Sequence, residues 1–553
     1  MKRKKRILFC TEATFLNTGY STYTREILNY LISTEKYELA ELAAYAQDSD
    51  PRSAGIPWKF YGVLPPDNAS EEEKRDYNSN PTKQFGEHAF ERVCLDFQPD
   101  VVCDIRDFWM LDFAERSPYR DFFKWCIMPT VDARPQARQW IATYSSADAC
   151  LSYSDWAGEV LKGQSGGKIN YLGSAPPSAH PAYEPKDSAE IRRMFGIDPD
   201  KKIIGTVMRN QRRKLYPDLF EAFRLFLNQV ENPNEYMLYC HTSYPDLGWE
   251  IPELLQEQEL SSHVLFTYVC PETKKPFPSL FKGASCQSPY TGKWGATLSN
   301  VKNGLEYQDL STIINLFDLY VQYANCEGFG LPQVEAAACG VPVMSTDYSA
   351  MESVIRQLEG TPITPKALYK ELETGCLRAV PDNALAAKLF KEFFSLPKEI
   401  RKQQGFKTRQ NFLHHFQWDK SGKVWENYFD SIEILEDSKT WKSQLDIQQP
   451  DPMPKELPPN VKHNDLAKWL ISNVLKDQSK LNSFMEARLT RDLMYECSTA
   501  TTGGMYFNEM SASFEGRNVR QPFGFKEAYS HMCALRNRKN YWEQKRAEAF
   551  NLR

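Results

Sequence analysis

Asn325-Cys-Glu-Gly-Phe-Gly-Leu-Pro-Gln-Val-Glu-Ala-Ala-Ala-Cys-Gly-Val-Pro-Val-Met344 decides how the chain is read. Ahead of it, Leu319-Tyr-Val-Gln-Tyr323 is a short apolar run with the character of a buried strand. Gly328 and Gly330 break that run. Pro332 stands where a helix takes its opening residues, because proline there loses no intrahelical hydrogen bond and has φ already set. Gln333 to Cys339 is an alanine-rich helical stretch that Gly340 and Pro342 stop. A second strand runs from Val341 to Ser345. Strand, glycine turn, helix and strand make one βαβ step of a doubly wound sheet, with an anion-binding helix start at its turn.

Two acids make the stretch specific: Glu327 in the turn and Glu335 eight residues later, in the first turn of the following helix. A helix start devoted to phosphate alone excludes carboxylates, which repel the ligand. The pair therefore points to neutral hydroxyls, such as those of a ribose and a sugar. The run E-G-F-G-L-P-x-x-E-A-x-A-C-G-x-P-V closely resembles the E-x7-E signature of retaining, GT-B-fold glycosyltransferases of family 4. The resemblance implies that Glu327 faces the donor sugar and Glu335 holds the ribose. It implies too that Leu331 and Pro332, with Gly328, Phe329 and Gly330 in the same turn, offer backbone to the diphosphate.

Outward from that motif, composition sets bounds. A chain of 553 residues has room for several domains, and 42% hydrophobic with 13% aromatic content is enough to bury large cores. The thirteen cysteines include no C-x-x-C pair, which fits a reducing compartment and predicts a cytoplasmic protein. Met1 to Arg6 is basic, but Ile7 to Phe9 is too short for a signal-peptide core, and no apolar run approaches a membrane span. A net charge of −5 gives no global attraction to nucleic acid or anionic lipid, so such a partner needs a local patch.

Arg6 to Cys10 reads as a first buried strand, followed by a turn containing Gly19 and an amphipathic helix from Tyr23 to Ser33. Family 4 enzymes open in this way, with a glycine loop facing the cleft, and the resemblance makes Gly19 a donor-side residue; a plain turn glycine is the alternative. Asp50 to Pro81 is polar and reads as a loop over the cleft rim. Strands at Val101–Ile105 and Trp125–Met128 end in Arg106-Asp107 and in Pro129-Thr-Val-Asp132. Carboxyl ends of parallel strands project into the ligand crevice, which makes Asp107 and Arg106 acceptor candidates and Asp132 a catalytic one. The alternative, strand-end acids capping local turns, stands beside it. Relatives place a histidine near Asp132, and this chain does not.

Pro176 to Pro185 reads as a linker, and a second domain starts with the strand at Lys201–Met208. Arg209 and Lys214, five residues apart, match the Arg and Lys that the family directs at the donor diphosphate. Fixed cations there stabilise the charge that builds on a leaving nucleoside diphosphate; Arg212 and Arg213 are further basic residues of the same loop. Cys270 and Cys286 stand like two halves of a zinc ribbon, but each lacks its C-x-x-C partner, which rejects structural zinc. Val301-Lys-Asn-Gly-Leu305 resembles the turn that flanks the nucleotide base, which assigns Asn303 and Gly304 to the donor. Phe416-Gln-Trp-Asp419 with Trp425 resembles the segment that crosses back onto the first domain.

The expected architecture is α/β of the GT-B type: two Rossmann-like doubly wound domains facing a cleft, with a mainly helical C-terminal extension. The domains divide at 1–180 for the acceptor and 181–415 for the donor with an insert at 270–300. A crossover helix at 416–436 follows, then a linker and extension at 437–553. The extension carries Gly503-Gly504 and a basic-aromatic run from Arg536 to Arg546 that suits either a solvated helix face or a nucleic-acid backbone. The resemblance implies transfer of a sugar from a nucleoside-diphosphate sugar to a hydroxyl, with retention, no metal and no further cofactor. No clear D-x-D metal site or His/Asp ligand cluster is read in the sequence, and no acceptor-side nucleophile is identifiable, which favours front-face attack. The acceptor is a glycan or small molecule, or a hydroxylated nucleobase in DNA. The alternatives are a sugar-nucleotide epimerase or phosphorylase on the same fold, and a non-catalytic binding protein for nucleotide sugar or nucleic acid.

Overall fold

The structure, a computed structural model, describes residues 3–435 apart from 80, 112, 118, 301 and 302, together with Trp441. Largely apolar runs, buried on both faces except at the edge strands β3 and β7, form a parallel sheet: β1 (Lys5–Glu12), β2 (Tyr37–Ala44), β3 (Lys59–Gly62), β4 (Val101–Asp104), β5 (Lys124–Ile127), β6 (Ala149–Ser152) and β7 (Tyr171–Ser174). Their order is β3-β2-β1-β4-β5-β6-β7, every pair parallel. Strand order reverses between β1 and β4, so ligands of such a sheet lie outside the carboxyl ends of those two strands. The helix Gly19–Ser33 follows β1, and Thr18 caps it by accepting from the Ser21 amide at 3.3 Å. The stretch read as a rim loop, 50–81, holds instead a 3-10 turn at Pro51–Gly55, the edge strand β3 and the helix Glu71–Ser79. At four residues, β3 is too short to show its alternation among the flanking polar residues.

A second sheet contains β8 (Lys202–Val207), β9 (Tyr236–His241), β10 (Val264–Val269), β11 (Pro276–Leu280), β12 (Ser285–Gln287), β13 (Trp294–Leu298), β14 (Leu319–Gln322), β15 (Val343–Thr346) and β16 (Thr361–Ile363). Its parallel part runs β10-β9-β8-β14-β15-β16, and its order reverses between β8 and β14. A hairpin of β17 (Ala367–Lys370) and β18 (Leu377–Val380) follows.

The insert at 270–300 is antiparallel, β11 and β13 pairing with β10, and β12 with β13. Two of its turns close in the same manner. The Cys270 amide donates to Lys275 O at 3.1 Å and the Ser288 amide to Lys293 O at 2.8 Å. The true counterpart of Cys270 is thus Ser288, not Cys286, which is buried in the core of the second domain. Burial opposes charge on Cys270, but hydrogen bonds from Ser288, Thr273 and backbone amides hold its thiol down at about 6. No group of three metal-ligating side chains is assembled among the described residues.

The helix Lys398–His415 packs on the helix Leu331–Ala338, and the chain then crosses to the first domain as the helix Trp418–Ser431. Trp425 is wholly buried there and donates to Tyr23 Oη at 2.9 Å. Ser421 donates to Pro176 O at 2.6 Å, and Lys36 pairs with Glu426 at 2.6 Å. Trp441 packs against Tyr119 and Phe122 and donates to Pro99 O at 3.2 Å. Apart from Trp441, the expected extension at 437–553, with its glycine pair and basic-aromatic run, lies outside the described residues. No helix among the described residues is long and apolar enough to cross a membrane.

Candidate active site

The loops after β8 and β14 are joined by backbone. Leu215 N donates to Tyr323 O at 3.2 Å and Asn325 N to Arg213 O at 3.0 Å. This brings two residues distant in sequence into contact: Lys214 Nζ meets Glu327 Oε1 directly. Gln322 Nε2 donates to the same oxygen at 2.7 Å, and Arg213 Nε lies 4.0 Å from Glu327 Oε2. Both partners are buried, with side chains 9% and 7% exposed. Burial, with Arg213 alongside, pushes the Lys214 ammonium well below its usual range, and the Glu327 carboxylate is the acid in direct contact with it. The Glu327 amide donates to Ser349 Oγ at 2.9 Å. Ser349 holds a φ of 57°, a strained backbone for a non-glycine residue, so the surroundings over-determine this support.

Gly328 and Gly330 have separate reasons to be glycine. A Cβ on Gly328 would stand 2.4 Å from Thr130 Cγ2 of the first domain, so the turn reaches across the cleft only without a side chain. Gly330 has a φ of 87° and caps the helix Leu331–Ala338, with Pro332 in its first turn. Phe329 is buried edge-on against Phe416, 5.9 Å between centroids. Glu335 is the fifth residue of the helix, not in its first turn as the sequence suggests. Burial raises its carboxyl to about 7, and a hydrogen bond with Tyr183 holds it lower than burial alone would.

The remaining predicted residues divide between cleft and scaffold. Arg209 forms a two-pronged pair with Asp246, at 2.8 and 2.9 Å, and Arg213 takes the place beside Glu327 instead. Arg106 is not on the cleft: it is wholly buried, committed to Asp104 and to the Phe85 carbonyl at 2.5 Å. A guanidinium under the sheet end needs both partners to offset desolvation, which leaves none of that role for an acceptor. Asp107 does face the cleft. Burial raises its carboxyl, hydrogen bonds from Tyr20 and Thr130 oppose the rise, and the charges of Asp132 and Arg213 are in reach. Asp132 accepts from Arg378 at 2.9 Å and from the Cys326 thiol at 3.3 Å, while Arg378 also pairs with Glu371 at 2.8 Å. No motif marked Arg378, Gln322 or Ser349; only folding brings them here. Gly19 begins the first helix, and nothing lies within 4 Å of the point its Cβ would occupy, so space rather than packing surrounds it. Asn303 donates to Val269 O at 3.0 Å and Thr297 at 3.1 Å, pinning the turn with Gly304 to the insert.

A groove of about 540 Å³ lies on the flank between the helices Asp155–Ser165 and Ala350–Gln357. None of Glu327, Lys214, Glu335 and Asp107 lines it. The paired switch points, not this groove, carry the convergent charges.

Residues 299–405 match the family model described as glycosyl transferases group 1, a span that contains Glu327 and Glu335. No curated protein matches the chain. Among solved structures, sucrose-phosphate synthase from Thermosynechococcus elongatus aligns at 16% identity and a TM-score of 0.57, over 78% of this chain and 100% of that one. Anabaena HepE in complex with UDP and glucose aligns at 12% identity and 0.52, over 77% and 100%. A glycosyltransferase from Rickettsia africae aligns at 12% and 0.53, over 77% and 98%. The fold is therefore GT-B, and the part of it that carries the two acids is similar to glycosyl transferases group 1.

Proposed function

We propose that this protein is a retaining glycosyltransferase that moves a sugar from a nucleoside-diphosphate donor to a hydroxyl, without a metal ion. The observation that carries the reading is the buried contact between Lys214 and Glu327 at the β8/β14 switch point, with Arg213 beside it. Lys214 and Arg213 supply fixed positive charge where a departing diphosphate needs it, and Arg209 flanks them from its pair with Asp246. Glu327 faces the sugar, and Glu335, buried in the helix, accepts from ribose hydroxyls. The backbone of Gly328 to Pro332 lines the diphosphate, with Gly19 opposite and Asn303 and Gly304 toward the base. HepE, with the same fold, holds UDP and glucose.

In the front-face course, the sugar–phosphate bond breaks as the acceptor oxygen attacks from the same side. The departing phosphate oxygen takes the acceptor's proton. Domain contacts such as Thr130 against Gly328 exclude the water that would otherwise hydrolyse the donor. The test is proton NMR of the first-formed product, with wild type and Glu327→Gln. The reading expects the donor's anomeric configuration in the product and a loss of about a hundredfold or more in Glu327→Gln. An inverted product, or near-normal turnover in the variant, would refute it.

A further inference from the structure

The wall of the cleft opposite Lys214 and Arg213 carries the reverse charge. Glu12 ends β1 and Asp107 follows β4, the two strands on either side of the first domain's switch point. Neither carboxylate has an ion-pair partner within 4.0 Å among the described residues; Glu12 accepts from Thr18, and Asp107 from Tyr20 and Thr130. Asp132, the third acid of this wall, is neutralised by Arg378 at 2.9 Å. Tyr45 stands within electrostatic reach of Glu12, Arg106 and Asp107, 40% exposed and held at a φ of 64°, a left-handed backbone that a bulky residue adopts at a cost.

A second observation is independent of the acids. The Tyr153 side chain, on a residue 7% exposed, has a hydroxyl with no hydrogen-bond partner. It lies within electrostatic reach of Asp107 and Glu12 and close to Tyr20. The wholly buried Tyr144 hydroxyl is likewise unpartnered and within reach of Asp107 and Asp132. A buried hydroxyl without a partner at the end of a parallel sheet is a place where a ligand's polar atom completes the bonding.

From this juxtaposition we infer that the acceptor is a neutral or ammonium-bearing polyol, seated on Glu12, Tyr20, Tyr45, Asp107 and Tyr153, and that a phosphorylated acceptor is refused. The inference rests on the transferase reading and names the substrate class of its acceptor side. Two unpaired carboxylates accept hydrogen bonds from hydroxyls or an ammonium and repel a phosphate placed beside them. The same repulsion disfavours a nucleic-acid backbone at the attacked hydroxyl.

Saturation-transfer NMR at pH 8 with UDP present tests this, using glucose, glucosamine, glucose 6-phosphate and a single-stranded oligodeoxynucleotide as probes. The expected result is binding of glucosamine and glucose, with glucose 6-phosphate and the oligonucleotide about tenfold weaker or silent. Asp107→Asn and Glu12→Gln should weaken glucosamine about fivefold or more while UDP binds as in wild type, which also reports that both variants are folded. Glucose 6-phosphate or the oligonucleotide binding as well as glucose, none of the probes binding, or both variants holding glucosamine unchanged, overturns the inference. Failure of wild type to bind UDP or any other nucleoside diphosphate is the separate failure of the transferase reading.

Discussion

Glu335 is a carboxylate that the fold makes costly to ionise. Its group sits at about 7 in the folded protein, well above the ordinary glutamate value of about 4.3. The folded state therefore holds its proton more tightly than the unfolded chain does. Stability from this group is full below the unfolded value and is lost as pH rises toward 7. Glu335→Gln keeps the hydrogen-bonding shape without the charge. Urea unfolding should find the variant and wild type equal near pH 4, with the variant gaining of the order of 1–3 kcal/mol by pH 8. A gain that is independent of pH would show that Glu335 does not titrate in this window. A group that burial keeps from ionising suits the proposed role of accepting from ribose hydroxyls, because the ligand's donors offset the cost of the charge. Glu327 and Lys214 were legible in the sequence as motif residues, while their direct contact was not. The spacing from Arg209 to Lys214 singled out the first cation of the loop, but Asp246 takes Arg209 and leaves Arg213 beside Glu327. Nothing in the order of residues announces which of three arginines a distant aspartate will hold.

At the scale of the element, the glycine turn before the helix Leu331–Ala338 is the part most exposed to a single change. Its approach to Thr130 leaves no room for a methyl group, since a Cβ on Gly328 would stand 2.4 Å from Thr130 Cγ2. Gly328→Ala should cost about 1–3 kcal/mol through overpacking. Thr130→Ser removes the obstructing Cγ2 and retains the hydroxyl that meets Tyr20 at 2.6 Å. A double-mutant cycle should therefore show a favourable coupling of about 0.5 kcal/mol or more between the two changes. Strict additivity would contradict the close approach. Strand, turn and helix were each readable here, because glycine, proline and an alanine run leave strong local marks. Short edge strands such as β3 and the antiparallel insert left none, because four or five residues with mixed polarity carry too little periodicity. The insert's paired turns were hidden for another reason: Cys286 drew the comparison, whereas the counterpart of Cys270 in the fold is Ser288.

The whole molecule places two switch points face to face. Acids at β1 and β4 form one wall and cations after β8 the other. Helix Trp418–Ser431 ties the domains on the far side through Trp425 and Glu426. The order of strands and glycine turns made the doubly wound steps legible, and the resemblance of the Glu327–Glu335 stretch implied the two-domain architecture. The clasp of Asp132 and Arg378 across the cleft was not legible, because it joins two loops with no shared motif. On the proposed reading, the polarity of the walls gives the molecule a direction: anionic donor group against the second domain, uncharged or cationic acceptor against the first. The most direct measurement is a thermal shift with nucleoside diphosphates and their sugars, without added metal, on wild type and Lys214→Met. A ligand at a hundred times its dissociation constant adds about 2.7 kcal/mol of stability. The account predicts a clear shift of the wild type by one nucleotide and its sugar, much reduced in a Lys214→Met protein that still melts cooperatively. No shift with any of them, or an equal shift in the variant, would contradict a donor site built on Lys214 and Glu327.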